Sequence, residues 1–313
     1  MPLRILIVED FEKFRRYLCS VLEGDARCKV VGQACDGLEA VQKAAELKPD
    51  LILLDVGLPK LNGLLAAKQM RKIAPLSKIL FVSQEFSFDV VEAALRSGAL
   101  GYIHKLHVSS ELLSGIEAVN QGRYFVSGAL KEKFRKTNSG SPVRHEIQLY
   151  SHDALLMEGF ADFADTELKA GNATIVVATE LHRAGILERL EARSVDVEHA
   201  IATGMLIPLD AVETLSKFMG DEMPDADHFF EFMESLIGTA TKIAPRVAVC
   251  GEIAPQLLVA GKSVQALRVE QLSDIAIHGF HLNALCGYAL NDLEADNETF
   301  QSICAEHSVI HSQ

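Results

Sequence analysis

Residues 51–63 read LILLDVGLPKLNG: an apolar run, an aspartate, then a turn holding Gly57, Pro59 and Gly63. A short continuous apolar run bounded by turn residues marks a strand buried on both faces, as in a parallel sheet. The same unit recurs outward from it. LRILIV (3–8) ends in Glu9 and Asp10, ILFV (79–82) in Ser83, and GYIH (101–104) in Lys105. Strands near 3–8, 29–35, 51–55, 78–82 and 101–104 alternate with helices near 11–23, 37–48, 63–74, 87–97 and 109–121, the last capped by Ser109 or Ser110. That alternation predicts a doubly wound α/β domain. An open parallel sheet gathers the carboxyl ends of its strands along one edge, where ligands bind. The polar residues therefore describe one site. Glu9, Asp10 and Asp55 supply hard oxygen donors for a divalent cation such as Mg²⁺, and Ser83 and Lys105 can hold a phosphoryl group. Phosphoryl transfer spreads charge over three equatorial oxygens, so positioning and cations supply most of the catalysis.

This ordered set closely resembles the receiver domain of two-component response regulators, and the resemblance covers residues 1–125. It implies a (βα)5 flavodoxin-like fold. By position it implies that Asp55 accepts a phosphoryl group from the histidine of a sensor kinase or phosphotransfer protein. Asp10 then corresponds to a direct Mg²⁺ ligand, Glu9 to an acid acting through metal-bound water, and Gly57 to the residue whose carbonyl completes the metal site. Ser83 and Lys105 correspond to the groups that contact the phosphoryl oxygens, and Tyr102 to the switch aromatic that turns inward with the hydroxyl. The family relation also implies a homodimer through the receiver. Two positions depart from the pattern: Gln84 stands where a small residue is usual, and Leu106 where many receivers have proline.

Composition bounds the rest. The chain has 313 residues, 49% of them apolar and 23% charged, as in a globular protein with room for two cores. No apolar run reaches the roughly 18 residues that span a bilayer, and the N-terminus is already strand and site, so a cytoplasmic protein without signal peptide is expected. Six cysteines lack CxxC spacing and read as reduced core residues. Charge divides the chain. Residues 1–140 carry 20 Lys+Arg against 16 Asp+Glu, whereas residues 141–313 carry 10 against 27. A half with a net charge of −17 repels polyanions, because DNA affinity rests on Lys and Arg neutralising phosphates. No nucleic-acid partner is expected, and a transcription factor is the least favoured reading.

YFVSGALKEKF (124–134) looks like the segment that follows receivers joined to a helix-turn-helix, and residues 126–144 read as a linker, basic and then rich in Ser, Gly and Pro. From 145 to 313 a second α/β rhythm appears. Helices are expected over Leu155–Ala170, His182–Arg193, Ala211–Met219, Asp225–Ala240, Pro255–Ala260, Val264–Ile277 and Asp296–His307. Strands are expected at ATIVVA (173–178), within Ala200–Leu209, at Val247–Cys250 and at Leu282–Cys286.

HEIQLY (145–150), ATELHRAGILERL (178–190), CGEIAPQLLVAGK (250–262), VEQL (269–272) and NALCGYAL (283–290) resemble the MEDS domain, the methanogen/methylotroph sensory domain. The resemblance implies a RecA-like fold without its phosphate loop, sensing a small organic ligand or meeting a protein partner. After ATIVVA the chain reads TELHRAGI, which has no glycine-rich turn and no Lys to cradle phosphates. ATP hydrolysis is disfavoured, and a degenerate nucleotide-binding output is the alternative. His145, Tyr150 and His182 fall on these anchors and form the ligand or interaction candidates with Glu252 and Glu270. The latter two acids otherwise read as solvated or paired with Arg246 or Arg268, and His182 as part of a solvated helical turn. His278 and His281, with Cys286 beyond, tempt a zinc reading but fit a helix end better.

Overall fold

A computed structural model describes residues 2–85, 87–128, 144–290, 303, 304, 307 and 309–312. The chain divides into two compact units, Met1–Phe134 and Arg135–Gln313.

In the first unit, strands β1 (Leu3–Val8), β2 (Cys28–Ala34), β3 (Leu51–Leu54), β4 (Lys78–Ser83), β5 (Gly101–His104) and β6 (Phe125–Val126) alternate with helices α1 (Glu12–Glu23), α2 (Gly37–Leu47), α3 (Gly63–Ile73), α4 (Phe88–Arg96) and α5 (Val108–Asn120). The sheet order is β2-β1-β3-β4-β5-β6, and every pairing is parallel. The chain reverses direction of winding between β1 and β3, so their carboxyl ends flank a crevice. LILL of β3 is buried throughout, as a central parallel strand requires. Ile5, Ile7, Leu51, Leu80 and Val82 pack with Leu18, Leu112 and Ile116 in one cluster. Each such side chain contributes about 1.5–3 kcal/mol, so this core rather than the polar edge holds the sheet together. β6 lies past the expected boundary at 125 and pairs with β5, and residues 129–143 of the expected linker lie outside the described residues. α5 starts at Val108, with His107 in the cap position. Ser110 Oγ instead donates to the His107 carbonyl.

The second unit contains β7 (His145–Tyr150), α6 (Asp153–Lys169), β8 (Ala173–Ala178), α7 (Glu180–Ala192), α8 (Val197–Thr203), β9 (Leu206–Asp210), α9 (Ala211–Ser216), α10 (Ala226–Ala240), β10 (Val247–Gly251), α11 (Ile253–Val259), α12 (Ser263–Gly279), β11 (Asn283–Ala289) and β12 (Val309–Ser312). Its sheet, also parallel, runs β12-β7-β11-β10-β8-β9. Strand alternation feeds two cores. Val176, Ala178 and Cys250 face Leu156, Phe160 and Ile186, while Ile175, Val177 and Val247 face Ile237, Ala240 and Ile277.

Several expectations shift. ATIVVA is not the first strand of its sheet: β7 precedes it. HEIQLY hides this because its polar residues suggest exposure, yet His145 and Gln148 are buried, with Gln148 Nε2 donating to the Leu155 carbonyl at 3.0 Å. Within Ala200–Leu209 the strand is confined to β9, after a helix capped by Asp196 and ended by Gly204 at φ +77°. β12 was not expected at all, and most of the helix expected over 296–307 lies outside the described residues. Cys35 is exposed beside Glu39, against the reading of all cysteines as core.

One glycine ties fold to site. Gly63, first residue of α3, has its amide on the Val56 carbonyl at 2.9 Å, and a Cβ there would stand 1.9 Å from the Asp55 carbonyl oxygen. The helix start and the Asp55 backbone are thus in direct contact. Gly63→Ala should cost about 1–3 kcal/mol, the range for overpacking, and slow phosphoryl uptake by displacing Asp55. Urea melts and acetyl phosphate labelling check this, and a variant matching the native chain in both would contradict the contact.

Candidate functional site

At the carboxyl edge of the first sheet, β1 delivers Glu9 and Asp10, β3 delivers Asp55, β4 ends on Ser83 and β5 leads into Lys105. These residues and Gly57 line one pocket, with Gln84 and Leu106 exposed in its wall. Leu106 sits in a short 3-10 turn, Lys105–His107, where the family norm would be proline. Lys105 Nζ lies 2.7 Å from Asp55 Oδ2 and 2.7 Å from Glu9 Oε2, and also 5.0 Å from the Phe14 ring centre. Burial alone would lower the Lys105 pKa, but the hydrogen bonds to Asp55 and Glu9 overcome it and raise the pKa. Burial pushes Glu9 up, with Lys105 opposing.

One oxygen each from Glu9, Asp10 and Asp55 can lie within 4.8 Å of the others. An all-oxygen carboxylate set suits Mg²⁺, and the buried Glu9 Oε2 makes no aligned hydrogen bond. The residues therefore fit the ion, with Asp10 exposed as its approach. Gly57 adjoins them, since a Cβ there would stand 3.9 Å from Asp55 Oδ2. Ser83 is buried, and its hydroxyl accepts from the Glu85 amide at 3.2 Å. Tyr102 is fully buried, stacks on Phe81 at 6.1 Å and donates to the Glu85 carbonyl at 3.2 Å. Burial pushes its phenol up, so it stays a neutral donor. Ser83 and Tyr102 thus share one loop, 84–85, as common partner.

In the second unit the winding changes direction at β8, with β9 on one side and β10 on the other, so the edge between β8 and β10 is its corresponding crevice. Glu252, fully buried there, accepts from the Thr179 amide at 2.7 Å and faces His182 Nδ1 at 2.9 Å from both oxygens. His182 Nε2 lies 3.6 Å from Asp153. His182 is therefore not part of a solvated turn, and Glu252 takes an imidazole as partner where Arg246 was expected. Separation by 70 residues hides the pair from any local motif. His145 and Glu270 come together elsewhere, with Cys286, His307, Tyr288 and Asp274 around them. Tyr150 instead packs in the core beside Leu156 and Phe160. His278 is buried on the Asp274 carbonyl at 2.8 Å, and His281 follows the helix end at φ +58°.

A family model for the response regulator receiver domain matches residues 5–117, which makes the chain a signalling regulator of the two-component class. It belongs to the MEDS family (MEthanogen/methylotroph, DcmR Sensory domain), whose model matches residues 144–307. The response regulator protein VraR of Staphylococcus saprophyticus is 26% identical over 193 residues, 62% of this chain and 92% of that protein. A protein-glutamate methylesterase/protein-glutamine glutaminase of Thermotoga maritima is 43% identical over 112 residues, 35% of this chain but 32% of that enzyme, all within the span of the receiver. Among solved structures, a LuxR-family two-component response regulator from Aurantimonas sp. SI85-9A1 shares 28% identity over 42% of this chain and 94% of its own, with a TM-score of 0.41. The response regulator domain of Thermotoga maritima CheB shares 38% over 39% and 98%, with a TM-score of 0.37. No helix among the described residues is long and apolar enough to cross a membrane.

The His182–Glu252 pair predicts a pH dependence. The hydrogen bond that His182 donates to the Glu252 carboxylate raises the His182 pKa above its ordinary 6.5, with burial opposing. A raised histidine contributes its full stability below 6.5 and loses it as pH rises through the folded-state value. The stability difference between the native chain and His182→Gln should therefore shrink as pH rises from 6 to 9, about the window in which a raised histidine titrates. Chemical melts across that range check it, and a pH-independent difference would contradict the pair.

Proposed function

We propose that Asp55 accepts a phosphoryl group, with Mg²⁺ held by Glu9, Asp10, Asp55 and the Gly57 carbonyl, and that this event controls the second domain. The observation that carries the reading is the Lys105 ammonium 2.7 Å from Asp55 Oδ2 in a pocket walled by two further carboxylates and Ser83. An Asp55 oxygen bonds to phosphorus as the phosphorus–nitrogen bond of a phosphohistidine donor breaks, and the donor imidazole keeps the electron pair. Lys105 and the bound cation offset charge on the phosphoryl oxygens. Gly57, beside Asp55, leaves room for the incoming group. The Ser83 hydroxyl then gains a phosphoryl oxygen as partner and leaves the Glu85 amide, which loosens the loop that Tyr102 also holds. Phosphorylation can act only through such a difference between states. The face of α4 and β5 carries that difference and is the surface for a second copy of the chain.

The second domain works as a sensory or protein-interaction output without DNA binding. Its apolar cavity, walled by Phe218, Phe229, Phe232, Val249 and Leu285 with Thr214 and Ser273 as polar groups, suits a small organic molecule. The degenerate-nucleotide alternative has less support. The turns after β7 (Ser151–Asp153) and after β8 (Thr179–Glu180) both lack a glycine-rich nest and a lysine. The cytoplasm, where phosphohistidine donors and Mg²⁺ meet, is the compartment this reading requires.

Acetyl phosphate with Mg²⁺ should add one phosphoryl group to the native chain and none to Asp55→Asn, read by intact mass. Beryllofluoride should likewise move the native chain from monomer towards dimer in sedimentation. Equal labelling of the variant would overturn the acceptor assignment, and an unchanged sedimentation profile the dimer.

A further inference from the structure

Four side chains distant in sequence converge in the interior of the second unit: His145 on β7, Glu270 on α12, Cys286 on β11 and His307 before β12. Ligand atoms of all four lie within 4.8 Å of one another. His145 Nε2 is 3.6 Å from Cys286 Sγ and 3.8 Å from Glu270 Oε2, and His307 Nε2 is 3.6 Å from Glu270 Oε2. Nitrogen–oxygen separations of 3.6 and 3.8 Å exceed the roughly 2.7–3.2 Å of hydrogen bonds. They approach the edges of about 3.3–3.6 Å of a tetrahedron built on zinc's bond lengths to N, O and S. Glu270 Oε2 and His307 Nε2 are buried without a hydrogen-bond partner. Such orphaned atoms are rare and call for an explanation.

The outer contacts orient the set. His145 Nδ1 faces Asp274 Oδ1 at 3.2 Å, and His307 Nδ1 faces the Ile303 carbonyl at 2.8 Å. Both partners accept hydrogen bonds, so each Nδ1 carries the proton and each Nε2 turns its lone pair inward. Metal-bound histidines are held in this way by carboxylates and backbone carbonyls. The Tyr288 hydroxyl donates to Glu270 Oε1, leaving Oε2 for the centre.

We propose that His145, Glu270, Cys286 and His307 bind one Zn²⁺ ion as a closed, four-ligand structural site. Two neutral imidazoles, one thiolate and one carboxylate balance the charge of the ion, which suits a buried position. Binding ionises Cys286, and its proton leaves to solvent. Because the ligands must lose their protons to bind, zinc uptake weakens as pH falls. The ion would fasten the segment bearing His307 and β12 to the sheet. The proposal is independent of receiver phosphorylation.

The test uses the full chain without a histidine tag, expressed with added zinc and dialysed. About one zinc per chain is expected by elemental analysis. After chelation, Co²⁺ should restore an absorption spectrum with tetrahedral d–d bands and a thiolate-to-metal charge-transfer band. Cys286→Ser should lose that band, and His307→Ala should lose most of the metal. Cys35→Ser, which removes the exposed thiol beside Asp36 and Glu39, should keep both. Native chain that neither retains zinc nor develops the cobalt thiolate band overturns the proposal without reference to any variant's folding. So does a charge-transfer band that survives in Cys286→Ser.

Discussion

A lysine ammonium placed between two buried carboxylates is the constraint on which the first unit depends. Glu9 and Asp55 emerge from adjacent parallel strands, β1 and β3, and would repel each other without a cation between them. Two unit charges 4 Å apart interact by about 4 kcal/mol at an effective dielectric near 20. Lys105, arriving from β5, offsets that repulsion, and the apolar strands behind it fix the geometry. The price is a cluster of acids that gains from a further cation brought to it, and that cation can in turn offset the charge of an incoming phosphoryl group. Stability comes from the apolar core, which also positions the polar edge.

The second unit uses the same architecture for different ends. Its β8–β10 crevice contains an imidazole–carboxylate pair, His182 and Glu252, where a nucleotide-binding relative would need a phosphate cradle. A second buried polar island gathers around Glu270, with His145 from β7 and Cys286 from β11. Burying a carboxylate without compensation costs several kcal/mol. Glu252, Glu270 and Asp274, all buried in this unit, therefore mark positions where partners, not packing, decide the residue.

Legibility followed the range of the interactions. The receiver could be read because its candidate site residues stand at the ends of apolar strands, Glu9 and Asp10 together after β1, and parallel pairing brings strand ends together without further information. Gly63 was visible as a turn residue, but its contact with the Asp55 backbone was not, because it depends on where α3 starts. In the second unit the acids Glu252 and Glu270 stood out against apolar surroundings, yet their partners lie 70 and 18 residues away. β12 had no periodic signal, His307 was read only as the end of a helix over 296–307, and HEIQLY concealed an interior strand behind its polar residues. The His278–His281 pair straddles a helix end, as its spacing beside Gly279 suggested, while Cys286 meets His145 instead. Short spacing is informative for strand-end sites and misleading where a sheet gathers distant residues.

The central claim is that chemistry at Asp55 alters the loop shared by Ser83 and Tyr102 and so reaches the face of α4 and β5. Hydrogen exchange on the full chain, with and without beryllofluoride and Mg²⁺, tests it most directly. The account predicts changed protection in Ser83–Glu85 and along Phe88–Arg96 in the native chain, absent in Asp55→Asn. Identical exchange in those segments with and without beryllofluoride, at concentrations that saturate the site, would contradict it.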